Sequence, residues 1–315
     1  MYLFDLHCDT ITRLHDGVRL QPGDRSLCQN AAHLSLEGMS GFSWAQCFAI
    51  FIPDEKRGRA AADYFEACYA FFCAQLAENA GRIAQARTAG QVQSLLAAGK
   101  AAALLTVEGG AVLGGRLEGV DRLASCGVKL LTLTWNGPNE LGSGNAAPDR
   151  GLTPFGRAAV ARLEERGIGV DVSHLNDRGF WELSEVARRP FVASHSNARA
   201  VCPHPRNLTD AQIRRLVQVG GLVGLNYHAP FLAEDGRPAF RDLAAHIRHF
   251  LDLGAQDILA LGSDYDGSDP PDWLLPVGKL ETLYRQVAKE FGGQLAEQLF
   301  FQNAMAFWKR FEAGR

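Results

Sequence analysis

A (β/α)8, TIM-type barrel is the fold predicted by this 315-residue sequence, and three observations predict it. Eight short apolar segments alternate with amphipathic stretches of helical period along the chain. Most of these segments are continuous apolar runs rather than strict alternations, as parallel strands buried on both faces require. The first segment leads into "HCDTITRL", not into the glycine fingerprint that follows the first strand of an open nucleotide-binding sheet. An open doubly wound sheet would share the first two features but not the third. The closed barrel is preferred.

Taken in order, "YLFDLH" is a strand of buried type, and "WAQCFAIFI" is the second, followed by a helix over 57–80. A helix over 91–98 precedes "AAALLTVE", and "VKLLTLTW" is the fourth strand. The stretch 136–151, "NGPNELGSGNAAPDRG", is a long loop of the kind that forms lids or pocket walls. Thr153-Pro154 then opens a helix over 155–166, since threonine caps and proline suits the first turn. "IGVDVSH" and "PFVASH" are strands five and six, and Thr209-Asp210 opens a helix over 209–219. "GLVGLNY", a helix over 240–253 and "ILALGSD" complete the alternation, and 280–311 reads as one or two closing helices. No linker or low-complexity segment interrupts it. Residues 1–315 are therefore predicted to be a single domain, although a prior of ~150 residues per domain would allow two.

With 47% hydrophobic residues the chain can bury a sizeable core, and its formal charge of −3 offers no basic surface for nucleic acid or an anionic membrane. No window reaches the ~18 apolar residues of a membrane span. The start "MYLFDLHCDT" lacks the pattern of a signal peptide, and the tail "FEAGR" carries no lipidation signal. Seven scattered cysteines without a CxxC pair form neither a disulfide framework nor a thiolate zinc site. Most are expected to be small buried residues. A cytoplasmic location is expected.

In a barrel of this type the active site lies at the carboxyl ends of the strands. Those ends carry His7 and Asp9, then Glu108 in "VEGG", His174 in "DVSH", His195 in "ASH" and Asp264 in "GSDYDG". Alternation puts His7 and Asp9 on one face and Cys8 on the other. Nitrogen and carboxylate donors without thiolate suit zinc, with manganese, iron or cobalt as alternatives. Six groups exceed the needs of one ion, and a carboxylate can bridge two. Glu108 could thus join a His7/Asp9 site to a His174/His195 site. Two ions ~3.5–4 Å apart would hold a hydroxide between them as nucleophile and polarise a carbonyl. Asp264 could take the proton from that water and pass it to a leaving amine. The chemistry inferred is metal-assisted hydrolysis of an amide-like bond.

The stretches "DLHCDT", "VEGG", "DVSH", "SHSNARAVCPHPRN" and "GSDYDG" resemble, in order from residue 5 to about 267, the renal (membrane) dipeptidase family of the amidohydrolase superfamily. The resemblance implies a distorted (β/α)8 barrel of the metal-dependent hydrolase type that hydrolyses dipeptides and tolerates a D-residue at the carboxyl end. It implies two zinc ions, one on His7 and Asp9 and one on His174 and His195, with Glu108 bridging and Asp264 transferring the proton. Arg206 in "HPRN" falls where the family grips the substrate carboxylate, a task suited to a planar pair of donors. The resemblance also suggests a homodimer. The chain departs from the family after "TLT", where Trp135 replaces a histidine that contacts the substrate carbonyl. Indole has one donor and cannot carry a proton, so Trp135 either donates to an oxyanion or walls the pocket. Asn136 and Tyr227 are further candidate substrate contacts, with Asn226 beside Tyr227.

Other residues have plainer readings. Asp171 is either a partner of a ligand or a core hydrogen-bonder, Asp266 before Gly267 is a turn residue, and Arg206 could instead pair with Asp210. His246 and His249, three apart, read as a solvated helix face, and His228 as a residue near the pocket. Two readings compete with the dipeptidase. One is an amidohydrolase acting on N-acyl amino acids, lactams or lactones. The other is a metal-binding homologue without catalysis.

Overall fold

Nine parallel strands form one sheet in the computed structural model, which describes residues 1–21, 23–147 and 150–314. They are β1 (Tyr2–Cys8), β2 (Ser43–Phe51), β3 (Ile83–Gln85), β4 (Ala101–Glu108), β5 (Val128–Thr132), β6 (Gly169–Asp171), β7 (Val192–Ala193), β8 (Leu222–Leu225) and β9 (Leu259–Leu261). The order β2-β1-β9-β8-β7-β6-β5-β4 is closed into a ring by pairing of β2 with β4. These eight are the predicted strands. The ninth, β3, stands outside the ring against the start of β4, from Ile83↔Ala101 to Gln85↔Ala103. At three residues it is too short to show a period.

Several apolar runs outlast their hydrogen-bonded strands at the carboxyl end. The pairing of "VKLLTLTW" stops at Thr132, and His174 and His195 lie beyond the ends of β6 and β7. The chain leaves the sheet there and turns, which frees side chains for the mouth of the barrel.

The registers Ala45↔Ala102, Cys47↔Leu104, Ala49↔Thr106 and Phe51↔Glu108 set these residues on one face of the sheet. Its lower members join Phe4, Leu6, Leu130, Val192, Leu222 and Ala260 in an apolar cluster closed by Phe307, Trp308 and Phe311 of the last helix, Asn303–Glu312. The face that carries Glu108 is thus apolar at its base and polar at its top. A larger cluster, with Phe48, Phe65, Phe72, Phe180 and Phe250, fills the space between strands and helices.

The helix starts follow the expected chemistry. Thr153 Oγ1 accepts from Gly156 N at 2.9 Å ahead of Pro154, and Thr209 forms a capping box with Gln212. The closing segment breaks more often than expected. Helix Leu280–Phe291 stops at Gly292 (φ 94°), and a π-helical turn over Gln298–Gln302 separates Gly293–Glu297 from the last helix. The loop after β5 is pinned along its course. Gly137 N donates to Asp54 Oδ2 (2.7 Å), Arg57 Nη2 to Pro138 O (2.8 Å) and Asn145 N to His174 O (3.0 Å). Pro148 and Asp149 of that loop lie outside the described residues. All seven cysteines are free and five are buried. Among the described residues no helix is long and apolar enough to cross a membrane.

His246 corrects the reading of a solvated face, because it is fully buried. Its Nδ1 accepts from Ala198 N at 3.1 Å, so Nε2 carries the proton and donates to Leu232 O at 3.2 Å. Burial holds the imidazole down at about 4. Unfolded, it titrates near 6.5. Between these values the unfolded chain binds the extra proton, so this contribution is intact above pH 6.5 and falls by up to ~3 kcal/mol as pH drops to 4. His246→Ala is expected to cost ~2–4 kcal/mol near pH 7.5, since two buried backbone groups lose their partners. Urea unfolding at pH 7.5 and 5 checks this: the variant should lose less stability on acidification than the parent, and equal losses would refute the assignment.

Candidate active site

At the end of β1 the pairing with β2 shifts by one residue, from Asp5↔Gln46 to Cys8↔Phe48. Such a bulge re-aims side chains beside a site. The buried Asp5 carboxylate supports it, accepting His7 N (3.3 Å) and Ser263 N (2.9 Å). Cys8 turns into the outer apolar cluster. Asp9 holds the N-cap position of helix Thr10–Asp16 but makes no side-chain capping bond. Its carboxylate is directed instead to His7, with Oδ2 at 3.2 Å from Nε2.

Glu108 sits at the middle of the cluster. Its Oε2 is 3.6 Å from His7 Nε2, while Oε1 is 2.8 Å from His174 Nε2 and 3.5 Å from His195 Nε2. The rings of His7 and His195 lie 4.0 Å apart, and those of His174 and His195 5.1 Å. Asp264 approaches from the end of β9, with Oδ1 4.0 Å from His7 Nε2 and Oδ2 accepting from Asn226 Nδ2 at 3.0 Å. All six side chains predicted to converge do so. Two residues reach the centre through left-handed backbone, His174 (φ 67°) and Asp264 (φ 62°), a conformation rare outside glycine. Gly267 is required beside them, because a Cβ there would collide with the carboxylates of Asp9 and Asp264.

The surrounding bonds orient the imidazoles. Asp171 can only accept, so the Ser194 hydroxyl donates to its Oδ2 (2.6 Å) and accepts from His195 Nδ1–H (2.7 Å). His195 Nε2 therefore bears a lone pair, and it has no hydrogen-bond partner. Asp171 also takes Thr132 Oγ1 (2.6 Å) and the backbone N–H groups of Ser173 and Ser194. Asp171 is thus a core hydrogen-bonder that reaches His195 through Ser194. Asn136 Oδ1 accepts from His174 Nδ1 at 2.9 Å, leaving Nε2 toward Glu108. Asn136 thus engages His174 through its amide oxygen, beside its expected role as a substrate contact.

Electrostatics point the same way. Burial pulls the His7 imidazole down, but Asp9 and Glu108 outweigh it and hold it well above its ordinary value. Burial, reinforced by Arg206, holds His174 at about 4, and burial with His7 holds His195 well below the usual range. Burial, with Asp9 and Glu108 adding to it, pushes Asp264 up to about 7 against the pull of His7 and Asn226. Two imidazoles are thus neutral donors, and the carboxylates around the third demand positive charge. His7/Glu108/His195 and His7/Asp9/Asp264 each bring ligand atoms within 4.8 Å of one another. Asp9 Oδ1, like His195 Nε2, is buried without a partner. Oxygen and nitrogen donors with free lone pairs fit a divalent first-row cation.

A cavity of about 370 Å3 opens over this centre, bounded by Asp9, Glu108, His174 and Asp264 at its floor and by Phe51, Pro53 and Trp135 at one wall. Arg206 is buried, and its Nε and Nη2 have no partner. The alternative pairing is excluded, since Asp210 Oδ1 binds His249 Nε2 at 2.8 Å. Tyr227 is fully buried in the outer cluster, edge-on to Tyr265 at 5.8 Å. Alternation explains this, because its neighbour Asn226 takes the inward face and meets Asp264. His228 lies outside the cavity lining, accepting at Nδ1 from Asp269 N (3.3 Å). Asp266 is more than a turn residue: it accepts from Arg13 Nη1 (3.1 Å), Thr10 Oγ1 (2.5 Å) and His33 N (2.6 Å), tying the Asp264 loop to the chain after β1. An aspartate at φ 71° two residues past Asp264 gave no such signal in sequence.

Comparison with known proteins agrees with this geometry. The membrane dipeptidase family (peptidase family M19) matches the chain over residues 1–315. A metallopeptidase from Rhodobacter sphaeroides, solved with a phosphinate mimic of the dipeptide L-Ala-D-Ala, is 29% identical with a TM-score of 0.90 over 99% of each chain. The dipeptidase AC, also a metallopeptidase, is 30% identical with a TM-score of 0.90 over 98% of each chain. An uncharacterized protein from the pqqA 5' region of Klebsiella pneumoniae is 33% identical over 240 residues, 72% of this chain and 89% of its own length.

Proposed function

This chain belongs to the membrane dipeptidase family of metallopeptidases, and from that premise we propose that it is a binuclear zinc dipeptidase whose substrates include L-Xaa-D-Xaa dipeptides. The observation that carries this reading is the convergence of three imidazoles and three carboxylates on one centre, with His195 Nε2 and Asp9 Oδ1 buried and unpartnered. His7 and Asp9 would hold one ion and His174 and His195 the other, with Glu108 able to serve both. Such ions would supply polarisation of the scissile carbonyl and acidification of a water.

The chain's own residues do the rest. Asp264 is anchored at Oδ2 by Asn226, and its other oxygen faces the centre to take a proton from water and return it to the leaving amine. Arg206 pairs with the substrate's free carboxylate, which supplies the partner its buried guanidinium lacks. Arg206→Ala is expected to lower kcat/KM for dipeptides by about 10²–10³-fold, mostly through KM, because a buried charge pair is broken. Steady-state kinetics on the best substrate decides it. Unchanged activity would refute the dipeptide reading and favour an amidohydrolase whose substrate has no adjacent carboxylate.

The Asp171–Ser194–His195 chain fixes the ring nitrogen that meets the ion. Ser194→Ala is expected to weaken metal binding by about 10–100-fold, the usual effect of losing a ligand's orienting partner. Titration against a competing chelator measures this, and an unaltered affinity would contradict the role given to Ser194.

A further inference from the structure

The cavity has one wall that the reaction does not use. Phe51 and Trp135 meet edge-on with ring centres 5.0 Å apart, and Pro53 continues the same surface. Phe51 is the register partner of Glu108, so this wall rises directly beside the centre. Of the polar residues in the lining, Arg13 is paired with Asp266, and Thr12, next to the wall, has its hydroxyl engaged within the protein. Its hydroxyl donates to Ala49 O (3.3 Å) and accepts from Phe51 N (3.0 Å).

The position of the wall in the ring decides which part of a substrate meets it. Arg206 follows β7 with its guanidinium over Phe231 beyond β8, and Trp135 follows β5, which brings the wall round to within two steps of β7 on one side. On the other side Phe51 ends β2, four steps along the ring order β7-β8-β9-β1-β2 from the strand that precedes Arg206. Four steps are half of the eight-stranded ring. A dipeptide held by its carboxylate at Arg206, with its peptide bond over the centre, therefore has its amino-terminal residue on the β2 side. We infer that the Phe51–Pro53–Trp135 wall selects dipeptides whose amino-terminal residue carries an aromatic or large apolar side chain. The inference rests on the dipeptidase reading and adds its substrate class. An apolar side chain there leaves water for a surface of rings. A polar one of similar size surrenders its hydration against that wall and gains no hydrogen bond from its rings.

The test is kcat/KM of the metal-loaded protein on L-Phe-D-Ala, L-Leu-D-Ala, L-Gln-D-Ala and Gly-D-Ala. The phenylalanyl and leucyl substrates should exceed the glycyl one by about 10–100-fold, with the glutaminyl one no better than glycyl. Phe51→Ala and Trp135→Ala should each pull the phenylalanyl-to-glycyl ratio toward one. The second variant, in a half-buried loop residue, covers failure of the first to fold. Hydrolysis of all four at similar rates, or a ratio unmoved in both variants, overturns the inference and leaves the dipeptidase reading standing. No hydrolysis of any dipeptide overturns both.

Discussion

Asp264→Asn is expected to lower kcat by about 10²–10⁴-fold, the range for loss of a positioned general acid–base. The amide keeps the size of the side chain and can still meet Asn226, but it cannot take up a proton. The carboxyl suits proton transfer near neutrality, since burial and the charges of Asp9 and Glu108 push it up to about 7. Metal content separates this role from ligation. Asp264 lies close enough to His7 and Asp9 to share an ion with them. If Asp264 carries the proton, its replacement leaves the bound metal in place while turnover collapses. Elemental analysis of the purified variant beside its kinetics makes the distinction, and loss of metal in proportion to activity would make Asp264 a ligand instead.

Removing the ions should have the largest effect of all. Exhaustive chelation is expected to abolish turnover and to lower thermal stability. Five proposed ligands come from the ends of β1, β4, β6 and β7, and a bound metal would be the partner they share. Binding at ~1,000 times Kd contributes ~4 kcal/mol to the folded state, and that much is lost on removal. At ~2–4 °C per kcal/mol the melting temperature should fall by roughly 8–16 °C. Calorimetry with and without added zinc measures the shift, and restored metal should restore activity. Full turnover after metal loss has been confirmed by elemental analysis would rule out a metal mechanism.

The barrel was legible in the sequence because parallel strands covered on both faces must be apolar along their length. "AAALLTVE" matches β4 residue for residue. Where hydrogen bonding stops and the chain turns, apolarity no longer marks the boundary. That is why "VKLLTLTW" overruns β5 by three residues. The six groups at the centre were legible for a related reason, since polar side chains closing apolar runs have little else to serve. Partnership was not. Asn136, Asn226 and Ser194 act through bonds to His174, Asp264 and His195 that depend on loop paths no local pattern encodes. His246 misled because three-residue spacing says two residues share a helix face but not what covers it. The facing of Asn226 and Tyr227 was not legible, because one step along the chain reverses it, and the bond of Asn226 to Asp264 shows which of the two turns inward.

A dipeptidase of this kind needs a free carboxylate beside the scissile bond and hydrolysis over the metal centre. The most direct measurement is kcat/KM of the zinc-loaded protein for an apolar L–D dipeptide and for the same compound with its carboxyl end amidated. The free dipeptide should turn over and the amide at least ~10²-fold less, as loss of a buried charge partner implies. Equal turnover of the two, or none of the dipeptide by protein shown to carry its metal, would contradict the dipeptidase reading.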